Sequence, residues 1–188
     1  MVIMVLDHVR DFFHADVHTF DPADPILSNI PVFFTRWITH FCAPTFVFLS
    51  GASIAFVASR KTTSETRAFL LSRGCWLMIC DAFIVSFLWL FDLDFDLFIL
   101  GVIWVIGLAM VCSAFVFKLN SRILLGLALA IVVGHHSLDF LNHDNPSLLL
   151  AILHQQWKFE FGFGAVIVAS PLLPWLGVMW GGIVLGRA

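Results

Sequence analysis

Tyrosine is absent from the 188 residues, only 12% of the side chains are charged, and cysteine is limited to four. A soluble domain carries about 25% charged residues, so the shortage of charge excludes a water-soluble globular domain. A disordered chain, which is polar and charge-rich, is excluded on the same ground. Cys42, Cys75, Cys80 and Cys112 lie singly in apolar runs, with no C-x-x-C spacing and no paired framework. That excludes a secreted disulfide scaffold and leaves them as small apolar residues. A net charge of −3, scattered along the chain, excludes a nucleic-acid surface, and no nucleic-acid partner is expected. What is present is hydrocarbon: 60% apolar residues, 21 Phe, 7 Trp and a mean hydropathy of +0.96. These are the properties of a polytopic membrane protein whose first partner is the lipid bilayer.

The expected fold is all-α, a transmembrane helix bundle, because an unpaired strand edge in hydrocarbon leaves its peptide groups unsatisfied. At roughly 30 residues per span and loop, the length accommodates about six spans. Six apolar stretches can be read, at residues 1–13, 31–58, 68–91, 97–117, 123–141 and 163–186. The first is short: thirteen helical residues rise only about 20 Å, against a hydrocarbon core of about 30 Å. It has neither a charged n-region nor a small-residue cleavage site, so it does not read as a signal peptide. We therefore expect residues 1–188 to be a single but partial domain, truncated at both ends.

Charge gives a sidedness. Arg60, Lys61 and Arg67 lie between spans two and three, Lys118 and Arg122 between four and five, and Arg187 after span six. The alternate segments are acidic or mixed, with Asp16, Asp21 and Asp24, then Asp92, Asp94 and Asp96, then Lys158 with Glu160. By the positive-inside rule, the start of span one is cytoplasmic and the acidic loops are outside.

Three polar clusters then fall in the outer half of the bilayer. Span one ends with Asp7, His8, Arg10, Asp11 and His14; span two enters with Arg36 and His40; span five leaves with His135, His136 and Asp139. At helical spacing His8 lies a turn from Asp11, Arg36 and His40 share a face, and both His135 and His136 are within a turn of Asp139. Ionisable groups facing lipid cost at least a few kcal/mol each, so we expect them to face one another or a wet cavity. Pro44 within span two, and Pro171 and Pro174 within span six, predict kinks. Ser50-Gly51-Ala52-Ser53 and Gly181-Gly182 suit close helix contact. Asp81, in mid-span three, is expected to pair with an arginine or to mark a path through the bundle.

The strings Met4-Val5-Leu6-Asp7-His8-Val9-Arg10-Asp11-Phe12-Phe13 and Phe33-Phe34-Thr35-Arg36-Trp37-Ile38-Thr39-His40-Phe41-Cys42-Ala43-Pro44 are distinctive. With Val102-Ile103-Trp104, Gly134-His135-His136-Ser137-Leu138-Asp139 and Pro171-Leu172-Leu173-Pro174-Trp175, they resemble a bacterial membrane family grouped with the catalytic domain of heparan-α-glucosaminide N-acetyltransferase. The resemblance covers nearly the whole chain. It implies an integral-membrane acyltransferase in a bacterial inner membrane, taking an acetyl or other acyl group from cytoplasmic acyl-CoA to an extracytoplasmic glycan-type acceptor. Acyl-CoA is then a co-substrate, no cofactor is bound, no metal site is expected, and a homo-oligomer is possible.

The resemblance matches His8 to the family's catalytic histidine, with His14 and His18 as alternatives. An imidazole suits removal of the acceptor's proton near neutral pH. Asp11 would orient it, as a carboxylate does in hydrolase triads, and His40 is the third catalytic candidate. Arg36 suits a carboxylate, a phosphate or the tetrahedral oxyanion. Arg10, His14, His135, His136 and Asp139 complete the expected substrate-contacting set. Two other classes compete: a transporter or non-catalytic scaffold, and a His-ligated haem or metal protein, which a Soret band in the visible spectrum would reveal.

Overall fold

Capping residues and prolines cut the apolar runs into shorter elements than hydropathy alone suggests. The computed structural model describes Met4, Val5, His8, Val9, Phe13 and residues 29–141, 144–162 and 164–188. The chain divides into two compact units, Met1–Phe46 and Val47–Ala188. Span one of the sequence reading lies largely outside the described residues.

Helix α1 (Ile30–Thr39) starts at Asn29, whose Oδ1 accepts the Val32 N–H at 3.0 Å, with Pro31 in the first turn where no donor is needed. Helix α2 (Cys42–Arg60) follows after a two-residue break. Pro44 causes it: without an N–H it cannot continue the ladder to His40. The helix restarts as Thr45 N–H bonds to the Phe41 carbonyl at 3.1 Å. The kink expected within residues 31–58 is thus an interruption at His40 and Phe41.

Helix α3 (Thr63–Ile79) opens on a capping box, in which Thr62 and Glu65 satisfy one another's backbone amides. It runs on through a π-helical stretch, Cys80–Val85, into α4 (Ser86–Leu90). Strand β1 (Leu97–Leu100) then leads into α5 (Val102–Val116), and α6 (Ser121–Gly134) continues as a 3-10 segment, His135–Leu141. A single short helix α7 (Leu148–Leu153), a hairpin of β2 (Trp157–Phe161) and β3 (Gly164–Val168), and α8 (Leu172–Leu185) complete the chain.

Most of the described chain is helical, as expected. Ile30–Arg60, Thr63–Leu90 and Ser121–Phe140 are long and apolar enough to cross a membrane, while Val102–Val116 and Leu172–Leu185 are shorter. Those two fall short because the stretches read as spans four and six each begin as a strand. The sheet order is β1-β3-β2, with β1 parallel to β3 (Leu97 opposite Ala165) and β2 antiparallel to it (Trp157 opposite Val168). The strands satisfy one another, and the free edge of β1 is covered: Ser86 Oγ accepts the Ile99 N–H at 3.0 Å. Pro171 and Pro174 accordingly mark the start of α8, at its N-cap and first turn, instead of kinking a longer helix.

Within Val47–Ala188, α3 packs on α5, and α6 on α8. The helices approach closely at glycines. A Cβ on Gly74 would meet the Gly107 carbonyl oxygen at 2.6 Å, and the converse distance is the same. At Gly51 and Gly182 an added Cβ would overlap the carbonyl oxygens of Met179 and Phe48, so the two small-residue patches do bring α2 against α8. Ile54, Leu70, Val105, Leu124, Met179 and Ile183 fill the core, while Phe56, Trp76, Phe115 and Leu129 are exposed, as lipid-facing positions are.

Candidate functional site

Polar groups concentrate at the two ends of the Val47–Ala188 unit. At the end rich in Arg and Lys, they close helix termini. Arg67 Nε donates to the Ala114 carbonyl at 3.2 Å and Arg187 Nη1 to the Leu119 carbonyl at 2.8 Å, taking up oxygens left over where α5 ends. Lys61 lies 5.3 Å over the Phe69 ring.

At the opposite end, Asp81 is the first buried group to account for, being 1% exposed. Its Oδ2 accepts the Gly101 N–H at 2.7 Å, and the Trp104 N–H also acts on it. Gly101 has no side chain with which to cap α5, so a carboxylate from the π-helical stretch serves in its place. The expectation of an arginine partner is corrected here: among the described residues the partners are backbone amides. Beside it, Ser86 Oγ reaches both the Asp81 and Ile99 carbonyls at 3.2 Å, sharing one proton between them. In the following loop, Asp92 accepts the N–H groups of Asp94 and Asp96 at 3.0 and 2.8 Å.

The histidines lie at this same end, past α6. His135 Nδ1 is 2.8 Å from the Val132 carbonyl, which requires the proton on Nδ1, and its ring lies 4.1 Å from that of His136. His136 Nδ1 is 3.5 Å from Asp139 Oδ2. The structure therefore brings Asp139 to His136 but turns His135 back onto its own helix. A residue missed by sequence reasoning completes the group. His154, at the end of α7, places Nε2 3.0 Å from Asp139 Oδ1, with its ring 6.5 Å from that of His135. Its side chain is 4% exposed, against 76% for His136 and 55% for Asp139. Among the described residues, no three His, Cys, Asp or Glu side chains are arranged to hold a metal ion.

In the Met1–Phe46 unit, His8 is a half-buried helical residue. Arg36 is half-buried and His40 exposed, one turn apart, with the His40 N–H bonded to the Arg36 carbonyl at 3.0 Å. Thr39 between them is buried, its hydroxyl donating to that same carbonyl at 3.0 Å. The predicted Arg10, Asp11 and His14, and the alternative His18, lie outside the described residues.

A family model described as heparan-alpha-glucosaminide N-acetyltransferase, catalytic, matches residues 1–188, the full length of the chain. No curated protein and no solved structure matches it.

Proposed function

The chain belongs to the heparan-alpha-glucosaminide N-acetyltransferase catalytic family, and from that premise we propose that it moves an acetyl group from acyl-CoA to a glycan-type acceptor across a bacterial inner membrane. The family match over residues 1–188 is the observation that carries this reading, and with it a membrane acyltransferase-like function. The apolar helices make the chain a membrane protein. In our reading residues 1–188 act as one domain, the basic end faces the cytoplasm and the donor, and the acidic end faces the acceptor. The positive-inside bias of Arg60, Lys61, Arg67, Lys118, Arg122 and Arg187 supports that orientation.

The step needs one base. The acceptor's amine or hydroxyl attacks the thioester carbonyl and its proton passes to His8. The C–S bond then breaks, and the departing thiolate takes up that proton as the free thiol. Asp11 holds the imidazole in its tautomer. Arg36 supplies positive charge to the tetrahedral oxyanion, and His40 lies a turn away as second imidazole. Arg10, His14, His135, His136 and Asp139 contact the substrates in this scheme.

The test is transfer of radiolabel from externally added acetyl-CoA to an amino sugar enclosed within inside-out vesicles. The wild type is expected to label the sugar covalently, and His8→Ala to lower turnover by at least about 100-fold while inserting normally. Near-normal turnover in His8→Ala would remove His8 from the role, and uptake without covalent transfer would replace the transferase with a transporter. A periplasmic-exposure reporter fused near Asp94 should be active; activity near Lys61 instead inverts the orientation.

A further inference from the structure

Past α6, the His154 side chain is withdrawn from solvent, 4% exposed against 76% for His136 and 55% for Asp139. Its two ring nitrogens have different surroundings. Nε2 faces Asp139 Oδ1 at 3.0 Å, and because an ionised carboxylate only accepts, the proton sits on Nε2. In the neutral ring Nδ1 then carries a lone pair. That nitrogen is buried and has no hydrogen-bond partner among the described residues. Buried polar atoms in folded proteins are nearly always paired, and those that are not commonly await a ligand or a water. The ring is also held firmly: His154 ends α7 with its backbone N–H on the Leu150 carbonyl at 2.8 Å, and Asp139 fixes the imidazole from the far side. Such an atom selects for a donor, because a molecule without an N–H or O–H would leave it unpaired.

We propose that His154 Nδ1 is a binding point for the acyl acceptor, accepting a hydrogen bond from an amino or hydroxyl group of an amino sugar, with Asp139 as the positioning residue that fixes the ring. That the ligand is the acceptor rests on the acyltransferase reading above; that the site takes an N–H or O–H donor rests on the geometry alone. His154 acts here by binding, and the proton removed during transfer is not assigned to it.

Two side chains separate the nitrogens. In His154→Gln the amide nitrogen stands near the position of Nε2 and keeps the tie to Asp139, but the Nδ1 acceptor is lost. In His154→Asn the amide oxygen stands near Nδ1 and the tie is lost. With the full chain in nanodiscs and glucosamine as probe, His154→Gln should raise the KM for glucosamine about tenfold or more without moving that for acetyl-CoA. His154→Asn should retain more of the glucosamine affinity. Unchanged KM values in a folded His154→Gln overturn the proposal. The independent readout is nitrogen NMR of 15N-histidine-labelled wild type without acetyl-CoA. Glucosamine should move the His154 Nδ1 resonance, and a resonance that stays still through the full titration overturns the proposal even where the variants fail to fold. Movement of that resonance in a protein that transfers no acetyl group keeps the binding point and removes the acyltransferase reading.

Discussion

The two ends of the Val47–Ala188 unit face the same difficulty, unsatisfied helix termini, and resolve it in opposite ways. At the basic end, long cations reach carbonyl oxygens from outside. Arg67 and Arg187 each make such contacts separately, and Thr62 with Glu65 closes α3 locally. At the acidic end, the closing groups are short, buried and shared. Asp81 caps α5, Ser86 links Asp81 to β1, and β1 leans on β3. Independent contacts tolerate single losses, whereas a shared network fails together. The basic end uses Arg67 and Arg187 to close helix ends, while the acidic end, past its structural carboxylate, also carries His135, His136 and His154.

The largest effect should come from Asp81→Ala, which strips the α5 amides of a buried carboxyl acceptor and should destabilise by about 1–3 kcal/mol. Unfolding in mixed micelles measures it. The double variant with Ser86→Ala should cost less than the two single losses added, because the groups share a network. Strict additivity would dissolve the contrast between the ends. Next comes Arg187→Ala, whose exposed guanidinium ties the end of α8 to Leu119; a loss below about 1 kcal/mol is expected. A cost equal to that of Asp81→Ala would show that the basic end is coupled too.

The smallest effect tests an exposed pair at the acidic end. The hydrogen bond and charge of Lys158, 2.9 Å away, hold the Glu160 carboxyl below its ordinary 4.5. A carboxyl depressed in the folded state stabilises above its unfolded value, and that contribution is lost as pH falls through the lowered folded value. Lys158→Ala should bring the Glu160 titration, followed by carboxyl NMR, up toward 4.5. A Glu160 titration unmoved by the substitution removes the pair as its cause.

The helices were legible because lipid-facing and core-facing positions are both apolar over long runs, and hydropathy registers such runs whatever they pack against. The same property hid the sheet. Leu97-Phe98-Ile99-Leu100 and Ala165-Val166-Ile167-Val168 are apolar without alternation, so nothing in their pattern separates strand from helix. Trp157-Lys158-Phe159-Glu160-Phe161 does alternate and is the one strand whose period was readable. At the site, His136 and Asp139 were recoverable because helical spacing relates them. His154 was not, since its partner is fifteen positions back and only the chain's return through α7 brings them together. Asp81 misled because a lone intramembrane carboxylate signals function by default, and a distant backbone amide has no signature in sequence.

The parallel pairing of β1 with β3 has a consequence for biogenesis. As the nascent polypeptide enters the bilayer, β1 emerges long before its partner, and α5, α6, α7 and β2 must all be made first. Until then the edge that β3 takes lies open, because Ser86 covers the opposite one. Translation rate and chaperone supply should therefore govern maturation of this end more than of the other, and a pause after α5 would leave a sticky ribbon open to mispairing.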